Sequence, residues 1–158
     1  MKKFLFFLAI LIACLLQVTI LNYFKIFNIA PDLLLIFVVI AGLTFELRWA
    51  LIFGLFAGLL KDVFSTNAFG INSALFVLWG YLIVILNRQI AIENNALRAG
   101  LVFIVALLHD ILAGLVYLYS GNLIPLGVFL RIVILQPIYT ALFLPLVFKS
   151  IKPVYYLR

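Results

Sequence analysis

Apolar residues run along this chain in six blocks, and the breaks between them are short and polar. The first block, Phe4 to Phe24, is about twenty residues, enough for a helix to cross a bilayer of roughly 30 Å. Asn28 to Asp32 is a turn, where Pro31 bars helix continuation and Asp32 is placed as the N-cap of a second span, Leu33 to Phe45. Glu46, Leu47 and Arg48 form a tight polar corner before a third span, Trp49 to about Phe64. The second and third spans are short, so local thinning of the bilayer or burial against neighbours is expected. The fourth span is Ile71 to Leu86. Asn87 to Arg98 carries Arg88, Glu93 and Arg98 beside Ile90, Ile92 and Leu97, the pattern of an interfacial amphipathic segment. The fifth span is Ala99 to Tyr119, Ser120 to Gly127 is a turn, and the sixth span is Val128 to Phe148. Pro137 and Pro145 should bend that last helix unless one of them ends it.

Composition explains why so much of the chain is apolar. Apolar residues make up 68% of its 158 residues, charged residues 10%, and the mean hydropathy is +1.36. A water-soluble domain of this size has no interior large enough to hide that surface, so the solvent is lipid. The expected fold is an all-α integral membrane protein, a single transmembrane domain over residues 1–158. The net charge of +6 then reads as a topology signal. A nucleic-acid partner is excluded because no surface remains to carry a basic face. With six spans and the N-terminus inside, Lys2, Lys3, Arg48, Arg88, Arg98, Lys149, Lys152 and Arg158 fall on the cytoplasmic side. Only Lys25 falls outside. Both termini are therefore expected in the cytoplasm. Leu11-Ile12-Ala13-Cys14 behind Lys2-Lys3 has the look of a lipoprotein signal, but the apolar run continues well past it, which points to an uncleaved first span. A single cysteine, Cys14, rules out an internal disulfide and a multi-cysteine metal site.

The stretch Phe53 to Tyr81 holds most of the chemistry. Gly54 and Gly58 leave a groove on one helix face where another helix can approach, from within the chain or from a partner. Ala9 and Ala13 make a similar seam in the first span. Lys61 and Asp62 sit side by side in apolar surroundings, where charge is costly enough to need a reason. Ser65 to Asn72 supplies the turn, with Asn67 and Gly70, and Asn72 and Ser73 are candidate caps of the fourth span.

Counting along the outward-rising helices puts Asp62 and Asp110 roughly 16 to 20 Å above the cytoplasmic boundary, just past mid-bilayer. Lys61, Asp62, His109, Asp110 and Arg131 therefore form a candidate intramembrane polar cluster, which Asn72 joins. Leu59-Leu60-Lys61-Asp62-Val63 and Leu107-Leu108-His109-Asp110-Ile111 echo each other, by repetition or by chance in a Leu-rich chain. Three roles stand open for the cluster. Its charges pair, Arg131 with Asp62 or Asp110, and set helix register; it lines a small-molecule pocket open to the outside; or His109 and Asp110 relay protons. No catalytic constellation is present: there is no HExxH, no Gly-rich phosphate loop and no nucleophile with a paired histidine. The expectation is a protein that is not an enzyme and carries no cofactor or metal.

The run Pro31-Asp32-Leu33-Leu34-Leu35, then Gly54-x-x-x-Gly58-Leu59-x-x-Asp62-x-Phe64-Ser65, then Gly70-Ile71-Asn72-Ser73-Ala74-Leu75 and Gly80-Tyr81-Leu82, resembles the rod shape-determining MreD family. The size and six-span topology of the whole chain fit as well, whereas the half containing His109, Asp110 and Arg131 fits by hydropathy alone. The resemblance implies a multi-pass protein of the bacterial inner (cytoplasmic) membrane that docks the bitopic MreC protein. With the MreB filament, the RodA polymerase and its penicillin-binding transpeptidase, such a protein positions lateral peptidoglycan synthesis. It implies structural or partner-facing roles for Asp32, Gly54, Gly58, Asp62, Phe64, Ser65, Gly70 and Asn72. It also implies a fold shared with the substrate-binding (S) subunits of energy-coupling-factor transporters. The alternative function is accordingly a small-solute-binding subunit of such an importer, with its pocket between the third to sixth spans.

Overall fold

A computed structural model describes residues 2–19, 29–65, 69–90, 94–121 and 125–156, with side chains between residues 3 and 149 of those ranges. The described residues form six helices: α1 (Lys2–Thr19), α2 (Leu33–Thr44), α3 (Leu47–Phe64), α4 (Ile71–Ile90), α5 (Asn95–Tyr119) and α6 (Leu126–Tyr156). Among the described residues, three stretches are long and apolar enough to cross a membrane: Ile71–Ile90, Asn95–Tyr119 and Leu126–Lys149. The described elements are all helical, and their apolar lengths are those of a membrane protein.

Helix α2 is the axis of the bundle. It packs against each of the other five helices, and every residue from Leu33 to Gly42 is buried. A helix apolar on all sides is stable only when surrounded. Twelve residues make a rod of about 18 Å, well short of the bilayer core, so both ends of α2 need partners inside the protein. They have them. At the start, Asp32 Oδ1 accepts from Leu35 N–H (3.1 Å) and Gln17 Oε1 of α1 accepts from Leu34 N–H (3.2 Å). At the other end, the Asn87 side-chain amide of α4 donates to the Leu43 carbonyl (3.1 Å).

Around α2 the packing is aromatic on one side and close on the other. Phe6 lies against Phe53, Phe45 and Phe37 with ring centroids 4.7, 5.0 and 5.7 Å away, a spacing at which tilted and edge-on rings attract. On the other side α3 and α4 nearly touch. A Cβ on Gly54 would lie 2.7 Å from the Phe76 carbonyl oxygen, and one on Gly58 would lie 2.4 Å from Ser73 Cα. Contacts at the helix ends fix the up-and-down order. Lys3 near the start of α1 lies over the Trp49 ring near the start of α3 (4.1 Å), and Arg98 near the start of α5 lies over Phe148 near the end of α6 (4.7 Å).

Several helix boundaries differ from those read in the sequence. Helix α4 continues to Ile90 and α5 begins at Asn95, capped by Asn94, whose side chain accepts from Ala96 N–H. No separate amphipathic segment lies over the described part of 87–98; those residues are the last turn of α4 and the first of α5. Helix α6 runs through Pro137 and Pro145 as one element to Tyr156. The expected end of the first span, with Lys25, and the Asn67 turn lie outside the described residues.

Candidate functional site

The polar residues converge where α2 begins, α3 ends and α4 begins, beside the middle of α5. Asp62, on the last turn of α3, is buried. Its carboxylate accepts from the backbone N–H groups of Asn72 and Ser73 (3.0 Å each), from the Asn72 side-chain amide (2.9 Å) and from the Ser73 hydroxyl. The carboxylate thus caps α4 from another helix, where exposed N–H groups and the helix dipole favour negative charge. Asn72 and Ser73, expected as caps in their own right, instead turn their side chains to Asp62 as donors.

Lys61 points the other way and forms an ion pair with Asp32. Its ammonium also contacts His109 Nε2 (3.0 Å) and lies over the Phe76 ring (5.0 Å from the centroid), which itself faces His109. Asp32 does triple duty: it caps α2, pairs with Lys61, and donates its own N–H to the Thr140 hydroxyl of α6 (3.0 Å). Five helices, α2 to α6, are therefore joined through one small group of side chains.

The structure brings together Asp32, Lys61, Asp62, Asn72, His109 and, at the edge, Asp110. It does not bring Arg131 to them. That residue is exposed, and the ion pair expected for it with Asp62 or Asp110 is absent among the described residues, where Lys61 and Asp32 pair instead. Gly54 and Gly58 face α4, and Ala13 is in the core with Ala9 packed against it, so these small-residue seams are closed within the chain. Phe64 is exposed. Gly70 takes a positive φ of 101° with open space around its Cα, a turn conformation that suits glycine. Asp32 as an ion partner and Thr140 as its acceptor were missed in the sequence. The first was legible: in an up-and-down bundle the start of the second helix and the end of the third share one level.

Two cavities flank Lys61. The larger, about 440 Å³, lies among α3 to α6 and is lined by Lys61, Asn72, His109, Asp110, Phe129 and Gln136 among others. The smaller, about 320 Å³, is lined by Cys14, Gln17, Leu34, Lys61, Phe64 and Ser65 among others. The arrangement holds charge inside an apolar bundle and leaves room for something small beside it.

No curated protein and no solved structure matches the chain. A family model described as rod shape-determining protein MreD matches residues 1–154, and the chain therefore belongs to the MreD family.

Proposed function

We propose that this protein is a non-enzymatic, multi-pass scaffold of the bacterial inner membrane that docks the membrane helix of an MreC-like bitopic protein. Through that partner it helps position lateral peptidoglycan synthesis by the RodA polymerase and its penicillin-binding transpeptidase, alongside the MreB filament. The observation that carries the reading is the family match over residues 1–154, since membership of a rod shape-determining family suggests a part in shaping the cell. The distribution of side chains agrees in kind. Most of the buried polar groups near the start of α2 engage one another, and, with the exposed Arg131 as an exception, the outward faces carry apolar side chains: Leu8 and Leu15 on α1, Leu78 and Leu82 on α4, Leu142 and Leu146 on α6. A partner met within the membrane is met on such faces by close helix packing. The reading places both termini in the cytoplasm. In support, Lys3, Arg48, Arg88, Arg98 and Lys149 all belong to the end of the bundle where α1, α3 and α5 begin.

Photo-crosslinkers at Leu8, Leu15, Leu82 and Leu146 of the full-length protein in native membranes test the proposal. One helix face should capture an MreC-like protein, identified by mass spectrometry, while the other faces capture lipid. Folded protein that captures no such partner from any face would overturn the reading.

A further inference from the structure

The polar cluster leaves two buried groups unanswered. Lys61, as the cation paired with Asp32, has only protons to offer, so His109 Nε2 is the acceptor of their 3.0 Å contact. The proton of the neutral ring is then on Nδ1, and Nδ1 has no partner among the described residues. Asp110 Oδ2 has none either. These side chains are only 1% and 8% exposed, and buried polar groups in native proteins nearly always have a partner in protein, water or ligand. Both residues line the cavity of about 440 Å³, a size in the range of small-molecule sites (roughly 300–1,000 Å³). The same cavity is walled by Ala113, Val128, Phe129 and Ile132, and the Gln136 amide adds a further donor and acceptor.

We propose that this cavity binds a small neutral organic molecule, with a hydroxyl at His109 and Asp110 and an apolar body against Val128, Phe129 and Ile132. Charge balance selects the class. Asp32 and Lys61 neutralise each other, and Asp62 is spent on the start of α4. An ammonium group would suit Asp110 but would face the His109 Nδ1–H and the Lys61 cation. A carboxylate would accept from His109 but would meet Asp110 as a like charge whenever that carboxyl is ionised. A hydroxyl both donates and accepts, so it serves His109 together with Asp110 in either of the carboxyl's proton states. Water has the same versatility and finds partners on the polar side of the cavity, but waters against Val128, Phe129 and Ile132 would lack the two to four polar partners each needs, so that side favours an apolar body. The site does not depend on the docking role and adds a ligand to it.

The test uses full-length protein in lipid nanodiscs and three probes of one shape: 4-fluorobenzyl alcohol, 4-fluorobenzylamine and 4-fluorobenzoate, followed by fluorine NMR. The alcohol should bind saturably above empty nanodiscs, and both charged probes about tenfold or more weaker, because unmatched buried polar groups are left in each case. Asp110→Leu removes the acceptor. Val128→Trp fills the cavity from a position that is 42% exposed and outside the core, so the fold does not depend on it. Each should weaken the alcohol about tenfold or more. Where Asp110→Leu fails to fold, Val128→Trp decides. No saturable binding of the alcohol, equal or tighter binding of a charged probe, or unchanged binding in Val128→Trp would overturn the proposal.

Discussion

Asp62→Ala tests the cap that joins α3 to α4. The carboxylate is 3% exposed and holds two backbone donors and two side-chain donors at the start of α4, whose first turn contains no acidic residue of its own. On truncation the Asn72 and Ser73 side chains can rotate toward other partners, but their backbone N–H groups cannot. At about 1–3 kcal/mol for each buried donor left without an acceptor, the loss is about 2–6 kcal/mol. Asp62→Asn keeps one oxygen but turns an NH2 group toward the other pair of donors, so it should lose about half as much. The assay is reversible unfolding in mixed micelles, read from tryptophan fluorescence; Trp79 on α4 is buried and reports on the affected helix. The expected order is wild type, then Asn, then Ala. An Ala variant within about 1 kcal/mol of wild type, less than one stranded donor, would refute the cross-helix cap.

Two further expectations use the same unfolding assay. Gly58→Ala should destabilise by about 1–3 kcal/mol, because the new Cβ would lie 2.4 Å from Ser73 Cα and 2.8 Å from Ser73 N, and backbone cannot give way as a side chain does. Gly100→Ala, with nothing within 4 Å of the added Cβ, is the control and should be neutral or stabilising by up to about 1 kcal/mol. Lys61→Met should cost about 3–5 kcal/mol by leaving Asp32 buried without its counter-charge. Adding Asp32→Asn should recover much of that loss, and a double variant no more stable than Lys61→Met would show that the pair is not what matters there.

Features set by local chemistry were readable in the sequence, and those set by helix rotation were not. Asp32 could be placed as an N-cap because the signal lies within four residues of the helix it starts. The end of α4 and the start of α5 run past the spans read from the sequence because hydropathy marks where lipid contact ends, while a helix continues as long as its backbone bonds do. Arg131 shows the rotational problem. Attraction of opposite charges suggested Asp62 or Asp110 as its partner. The buried positions of α6, Pro137, Thr140, Leu144 and Val147, form one stripe, and Arg131 stands nine residues before Thr140, about half a turn around the helix from it. That stripe is invisible in the sequence because the lipid-facing side of α6 is as apolar as the buried side. The Asp62 cap was hidden for a different reason: its donors lie ten and eleven residues downstream, across a loop, and only the tertiary fold makes them neighbours.

The cluster solves a problem that apolar packing alone leaves open. Leu, Ile, Val and Phe make up most of the bundle, and in lipid there is little hydrophobic penalty for a helix that slides along its neighbour, since the tails outside are as apolar as the core. A slide of one turn moves a side chain by about 5.4 Å, further than any hydrogen bond can stretch. Lys61 with Asp32 and His109, Asp62 with Asn72 and Ser73, and Asp32 with Thr140 would each break under such a slide of the helix that carries them. The cost falls on buried charges, where the loss of a partner is most severe. Small polar side chains near one end of α2 thereby hold five helices in a single register, which keeps the outward apolar faces in fixed relation to one another. The proposed docking role would require that constancy.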